Sequence, residues 1–159
     1  MSTAPMNILV GIDFSECSNL VMSQAVKLVG QTGARLHLGY VAHSGEFIRD
    51  VTLRSNIPDD FPEAQKALVD LQRLQAQLGP DINTELHVRL SMSAQEGLLG
   101  LIMELKPDLV IVGSHGKGAF KRALLGSVCH QLSLNSPVPI LIVPAPGREQ
   151  LLNEPRPGT

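Results

Sequence analysis

The stretch Asp108-Leu-Val-Ile-Val-Gly-Ser-His-Gly-Lys-Gly118 decides the fold. Leu109 to Val112 are apolar without interruption, the composition of a strand buried on both faces. Lys106-Pro107 ends the helical pattern before it, and Gly113-Ser-His-Gly-Lys-Gly118 follows at once. A further helix is predicted over about residues Phe120 to Leu134, with Leu125, Val128 and Leu132 turned inward. A buried strand passing through a glycine loop into a helix is half of a βαβ unit, and such units build parallel sheets.

The rest of the chain repeats that alternation. Met6 to Ile12 is a second continuous apolar run, ending in Asp13. The segment Asp13-Phe-Ser15-Glu-Cys-Ser18 supplies capping side chains for a helix carrying Val21, Ala25, Leu28 and Val29, which Gly30 and Gly33 close. Arg35 to Val41 alternates and predicts a second strand; residues 43–62 are irregular and polar and predict a loop with a short helical turn. Glu63 to Leu78 is helical, with Leu68, Leu71, Leu74 and Leu78 on one face, and Gly79-Pro80 ends it. Thr84 to Leu90 puts Leu86, Val88 and Leu90 on one side, the pattern of a half-covered strand at a sheet edge. Ser93 to Glu96 fits a capping box, and Ala94, Leu98, Leu101, Ile102 and Leu105 give the next helical stripe. Ser136-Pro-Val-Pro139 leads into a last strand, Ile140 to Val143.

The predicted fold is α/β: a single open five-stranded parallel sheet in the order 3-2-1-4-5, Rossmann-like, with helices on both faces. The most apolar strands, the first and the fourth, are central. The winding reverses between them, and ligands of such sheets bind at that reversal, beyond the carboxyl ends of the strands. Asp13 and the Gly113 loop stand there. One domain is expected over residues 1–144, with a Pro-rich tail over residues 145–159 that frays.

Composition bounds the function. The 159 residues are 43% hydrophobic and 18% charged, with a net charge of −2, so a buried core is expected and a nucleic-acid backbone or an anionic membrane is not a predicted partner. Aromatics are only 3%, with no Trp, one Tyr and four Phe, which argues further against single-stranded nucleic acid. The core is aliphatic, and any bound base is expected between aliphatic and backbone groups near Val41. The two cysteines, Cys17 and Cys129, form neither a disulfide framework nor a metal array. No apolar segment has the length for membrane insertion, and the N-terminus reads as a strand rather than a signal peptide; the expected location is cytoplasmic.

The glycine loop is suited to anions. Between a strand and a helix, free backbone N–H groups and the helix dipole attract phosphate, glycine permits its close approach, and Lys117 adds a positive charge. Gly126, read as lying inside a helical pattern, needs a reason: a ligand close to it, with Ser127 donating its hydroxyl, or tight packing against the first helix. A Walker loop is absent, and Lys121 stands where the third glycine of a dinucleotide fingerprint belongs.

Gly113-Ser-His-Gly116, nine residues, then Gly126-Ser127 reproduces the G-x2-G-x9-G-(S/T) pattern, and here the chain resembles the ATP-binding universal stress proteins. Ile8 to Ser15 and Pro137 to Val143 resemble that family too. The resemblance implies an open five-stranded parallel sheet in which Asp13 and the main chain at Gly11 and Val41 surround an adenosine. It implies that Gly113, Ser114, His115, Gly116, Lys117 and Gly118, with Gly126, Ser127 and Val128, hold ribose and phosphates. ATP or AMP is the implied ligand, with Mg²⁺ accompanying ATP, and the implied assembly is a homodimer through the strand Ile140 to Val143.

Each candidate has a plainer reading beside it. Asp13 binds ribose, and a metal only indirectly, or it caps the following helix. His115 is a loop side chain near phosphate rather than a catalytic base, and Ser127 lacks the spacing of a nucleophile elbow; no catalytic residue is assigned. His37, His43, His87 and His130 lack ligand spacing and read as ordinary residues, and no metal site is assigned. Two further readings stand beside a nucleotide-binding regulator with slow hydrolysis at most: an enzyme hydrolysing ATP or transferring adenylyl on the same fold, and an interaction module without ligand.

Overall fold

The computed structural model describes residues 4–44, 50–116 and 125–153. Six strands and four helices follow one another in those residues: β1 (Asn7–Gly11), α1 (Cys17–Thr32), β2 (Arg35–His43), β3 (Val51–Leu53), α2 (Pro62–Leu78), β4 (Thr84–Ser91), α3 (Ala94–Leu105), β5 (Leu109–Gly113), α4 (Ser127–Asn135) and β6 (Ile140–Val143). A short 3-10 helix, Arg148–Asn153, comes last. Among the described residues no helix is long and apolar enough to cross a membrane.

The strands form one sheet in the order β3-β4-β2-β1-β5-β6. The five strands expected from the sequence take their expected order, and β4-β2, β2-β1, β1-β5 and β5-β6 are all parallel. The sheet is nevertheless six-stranded and mixed. Residues 43–62 contribute β3, where the sequence predicted a loop with a helical turn, and Val51, Thr52 and Leu53 pair antiparallel with Leu90, Arg89 and Val88. Three residues are too few for a period to show in the sequence.

It follows that β4 is not the edge strand its alternation suggested. Leu86, Val88 and Leu90 do share the apolar face, but the other face holds Glu85, His87 and Arg89 because those side chains find partners there. Arg89 donates to Thr52 Oγ1 (2.9 Å) and to Glu104 Oε2 (3.2 Å). His87 Nε2 lies 3.0 Å from His37 Nδ1 on β2. A paired polar row, rather than water, accounts for the alternation.

Helices α1 and α2 cover one face, burying Val21, Met22, Ala25, Ala64, Ala67 and Leu71 against Ile8, Val10, Leu36, Leu38, Val88 and Leu90. Helices α3 and α4 cover the other, where Leu98, Leu101, Ile102, Cys129 and Leu132 pack on Leu9, Val110 and Val112. The capping box is present: Ser93 Oγ accepts from the Glu96 N–H (3.2 Å), and α3 ends at Lys106 in the left-handed region (φ 48°). Gly33 (φ 68°) closes α1 in the same way.

Leu101 is fully buried between α3 and the sheet, whereas Met103, on the same helix, is 63% exposed. Leu101→Ala is therefore expected to destabilise the protein by about 2–5 kcal/mol, and Met103→Ala to stay within about 0.5 kcal/mol of the parent, both read from urea unfolding. Equal effects would mean that α3 does not pack as described.

Candidate functional site

The carboxyl ends of β1 and β5 open into a cavity of about 600 Å³, a common size for a small-molecule site. It forms because the chain leaves β1 toward α1 on one face of the sheet and leaves β5 toward α4 on the other. Ten of the twelve site residues expected from the sequence line it: Gly11, Asp13, Val41, Gly113 to Gly116, and Gly126 to Val128. The other two, Lys117 and Gly118, lie outside the described residues, as does the start of the helix expected from Phe120.

Asp13 follows β1 directly. Its Oδ1 accepts from the Ser15 N–H (2.9 Å) and the Ser18 hydroxyl (3.2 Å), which fastens the turn into α1. That turn carries Phe14 at φ 58°, a left-handed conformation uncommon outside glycine, asparagine and aspartate. The carboxylate bonds the turn rather than capping the helix: the N-cap of α1 is Glu16, with no side-chain cap bond. Oδ2 faces the glycine loop, so close that a Cβ on Gly116 would stand 2.6 Å from it.

The two glycine segments are joined by the backbone. Gly126 N–H donates to the Ser114 carbonyl (2.8 Å), and Ser114 N–H donates to the Val143 carbonyl at the end of β6 (2.8 Å). A Cβ on Gly126 would lie 2.9 Å from the Ser114 oxygen. Gly126 is extended (φ −66°, ψ 158°) and is the N-cap of α4, so it is not inside a helix as the sequence pattern suggested, and its close neighbour is the Ser114 backbone rather than the first helix. Ser93 caps α3, but α4 has no side-chain cap bond. Among the described residues, the first N–H groups of α4 therefore have no side-chain cap where Ser127 and Val128 line the cavity, an arrangement that attracts anions.

Below the loop, Cys129 Sγ–H donates to the Gly113 carbonyl (2.8 Å), and Cys17 fills the space a Gly113 Cβ would need. Burial, with Cys17 and Asp13 nearby, pushes the Cys129 thiol up to about 11, so it is a packing group and not a nucleophile at neutral pH. His115 Nδ1 lies 2.8 Å from Ser114 Oγ. Among the described lining residues there is no Lys or Arg, so the cavity offers anions backbone N–H groups and hydroxyls.

The sequence reading missed one wall. Tyr40 lines the cavity, its ring 5.5 Å from that of Phe14, and its hydroxyl donates to Glu63 Oε1 (2.8 Å). Burial and the Glu63 carboxylate push the phenol above its ordinary range, so it stays a donor. The expectation of a purely aliphatic and backbone site is corrected accordingly: the single tyrosine stands at the site. Its signal was position, the residue before Val41 at the end of an alternating strand.

Residues 5–144 match the Universal stress protein family. A universal stress protein of Mycobacterium tuberculosis is 35% identical over 75 residues, and that match spans 47% of this chain and about a quarter (26%) of the mycobacterial protein. One from Methanocaldococcus jannaschii is 26% identical over 147 residues, covering 89% of this chain and 84% of the relative. Among solved structures, a universal stress protein in complex with cAMP superposes with a TM-score of 0.62 at 23% identity, over 90% of this chain and 99% of that one. An Arabidopsis thaliana family protein with AMP bound superposes with a TM-score of 0.62 at 13% identity, over 91% and 95%. At such identities the superpositions establish the fold.

Gly126→Ala is expected to lower stability by about 1–3 kcal/mol, because the added methyl meets a backbone oxygen that cannot rotate away. Ser127→Ala, one residue on and exposed, is the control and is expected to change it by less than about 0.5 kcal/mol. Urea unfolding of both measures the difference, and a neutral Gly126→Ala would mean the two loop halves are not in contact.

Proposed function

From the premise that the chain belongs to the universal stress protein family, we propose that it binds an adenine nucleotide, ATP or AMP, in the cavity between β1 and β5. Its role on this reading is that of a cytoplasmic regulatory protein of the stress response, with slow hydrolysis at most. The observation that carries the proposal is the N-terminus of α4, which meets the cavity without a side-chain cap beside a glycine loop whose backbone is tied to it. Two of the superposable family members were solved with cAMP and with AMP. The adenosine is assigned to the side formed by Gly11, Asp13, Tyr40 and Val41, and the phosphates to Gly113–Gly116 and Gly126–Val128. Where Mg²⁺ accompanies ATP, its charge neutralises the phosphates; Asp13 and Glu63 are the carboxylates among the described lining residues. Asp13 already holds the α1 turn and Glu63 the Tyr40 hydroxyl, an arrangement that favours retention of the nucleotide over fast turnover.

Isothermal titration with ATP and with AMP is expected to give saturable binding of one nucleotide per chain, weakened at least about tenfold by Asp13→Ala, which removes the turn's anchor. No saturable binding of either nucleotide at millimolar concentration overturns the reading.

The assembly proposed is a homodimer through β6. That strand is the last in the sheet order, so among the described residues one side of its backbone has no strand beside it, and Leu141 is part-exposed on it. Light scattering of the full chain is expected to give the mass of two chains, and that of Leu141→Asp the mass of one. A monomeric parent removes the dimer without touching the nucleotide reading.

A further inference from the structure

The polar row on β2 and β4 contains a cluster that the nucleotide cavity does not use. His37 Nδ1 and His87 Nε2 are 3.0 Å apart, and Glu85 Oε2 lies 3.7 Å from the first and 4.0 Å from the second. The three atoms come from neighbouring strands: His37 stands in register with Glu85, and His87 beside Gly39. The side chain of His87 is fully buried, that of His37 is 8% exposed and that of Glu85 39%. Around a tetrahedral Zn²⁺, ligand atoms stand about 3.3 Å from one another. The observed triangle closes to that with changes of about 0.3–0.7 Å in its sides.

We propose that His37, His87 and Glu85 form a binding site for a divalent transition-metal cation of the Zn²⁺ type, with the fourth position open to water on the half-exposed Glu85 side.

The surroundings prepare each ligand. Asn7 Nδ2 donates to the Pro5 carbonyl (3.3 Å), which leaves Asn7 Oδ1 to accept from His37 Nε2–H (3.2 Å). That bond keeps the proton on Nε2 and presents the Nδ1 lone pair to the cluster, the outer-shell arrangement common to metal-binding histidines. With His37 so fixed, the proton between the rings belongs to His87 Nε2, and His87 Nδ1 is buried with no hydrogen-bond partner. When a cation takes Nε2, the ring's one proton moves to Nδ1 and the imidazole stays neutral. Arg35 Nη1 approaches Glu85 Oε1 (3.4 Å) and leaves Oε2 for the cation. Burial lowers both imidazoles, His87 to about 4, with Arg54 contributing at each ring; protons therefore do not compete for the nitrogens at neutral pH.

The test uses the full chain without a histidine tag and the metal salt alone. Calorimetric titration with Zn²⁺ at pH 7.5 is expected to give one equivalent per chain in the micromolar range, and Co²⁺ the visible absorption of a tetrahedral site. His37→Gln and His87→Gln are expected to abolish both. Because a change at His87 lies in the interior, Glu85→Gln, half-exposed and isosteric, is the decisive variant: it is expected to leave the metal-free melting temperature unchanged and to weaken Zn²⁺ at least tenfold. Failure of the parent to bind Zn²⁺ in that range overturns the proposal. So does binding that survives Glu85→Gln undiminished, which would locate the metal elsewhere. Nucleotide titrations are unaffected by either result, since the cluster is outside the cavity.

Discussion

Everything in this molecule depends on burying β1 and β5 on both faces, side by side. Ile8, Leu9 and Val10, like Val110 and Ile111, are fully excluded from solvent. A strand with no polar face has one place in an open sheet, the middle. Two such strands in parallel need crossovers, and right-handed crossovers send the chain to opposite faces as it leaves each of them. The gap between their carboxyl ends is a consequence of that geometry. Asp13 and Gly113 face it because each comes where its strand runs out. The cavity is thus positioned by hydrophobic burial, before any polar contact is made.

The polar contacts then determine its shape. Helices α3 and α4 approach the cavity from the same face and differ at their starts. Ser93 satisfies an N–H of α3 with its side chain, so that helix end carries a cap of its own. Gly126 has no side chain to offer α4, and any side chain would collide with the Ser114 carbonyl that its N–H bonds. One residue therefore makes the close contact and leaves the helix end without a side-chain cap. A serine there would restore a cap at the expense of the contact.

Features encoded by neighbouring residues were legible in the sequence. The elements themselves and the start and end of α3 follow from runs, periods and breakers within some twenty residues, and the order of five strands, with Asp13 and Gly113 at one place, follows from the winding rules those elements obey. What escaped was encoded across the sheet. His37 and His87 are fifty residues apart in the chain and show no spacing that marks them as a pair; strand register alone brings them together. The same register explains why β4 looked like an edge. Its alternation recorded a polar face, and the sequence does not distinguish a polar face wet by solvent from one filled by Thr52, Glu104 and His37. Gly126 escapes for the opposite reason: the periodicity of Leu125, Val128 and Leu132 continues across it, so period alone runs the helix through a residue that is extended.

That failure and the two glycine contacts have one physical root. Apolar periodicity reports which side of the chain faces the core, and the chain begins to face the core before it begins to coil. Leu125 is half-buried one residue before the N-cap, turned toward the same cluster as Val128 and Leu132. The helix starts where the backbone at Gly126 is held extended by its bond to Ser114, a long-range constraint that overrides the local pattern. The glycines at 116 and 126 belong to that constraint: one leaves room for a carboxylate, the other for a carbonyl, and a side chain at either position would collide with it. The bond that holds Gly126 beside Ser114 and the start of α4 are therefore one feature, fixed by the same residue.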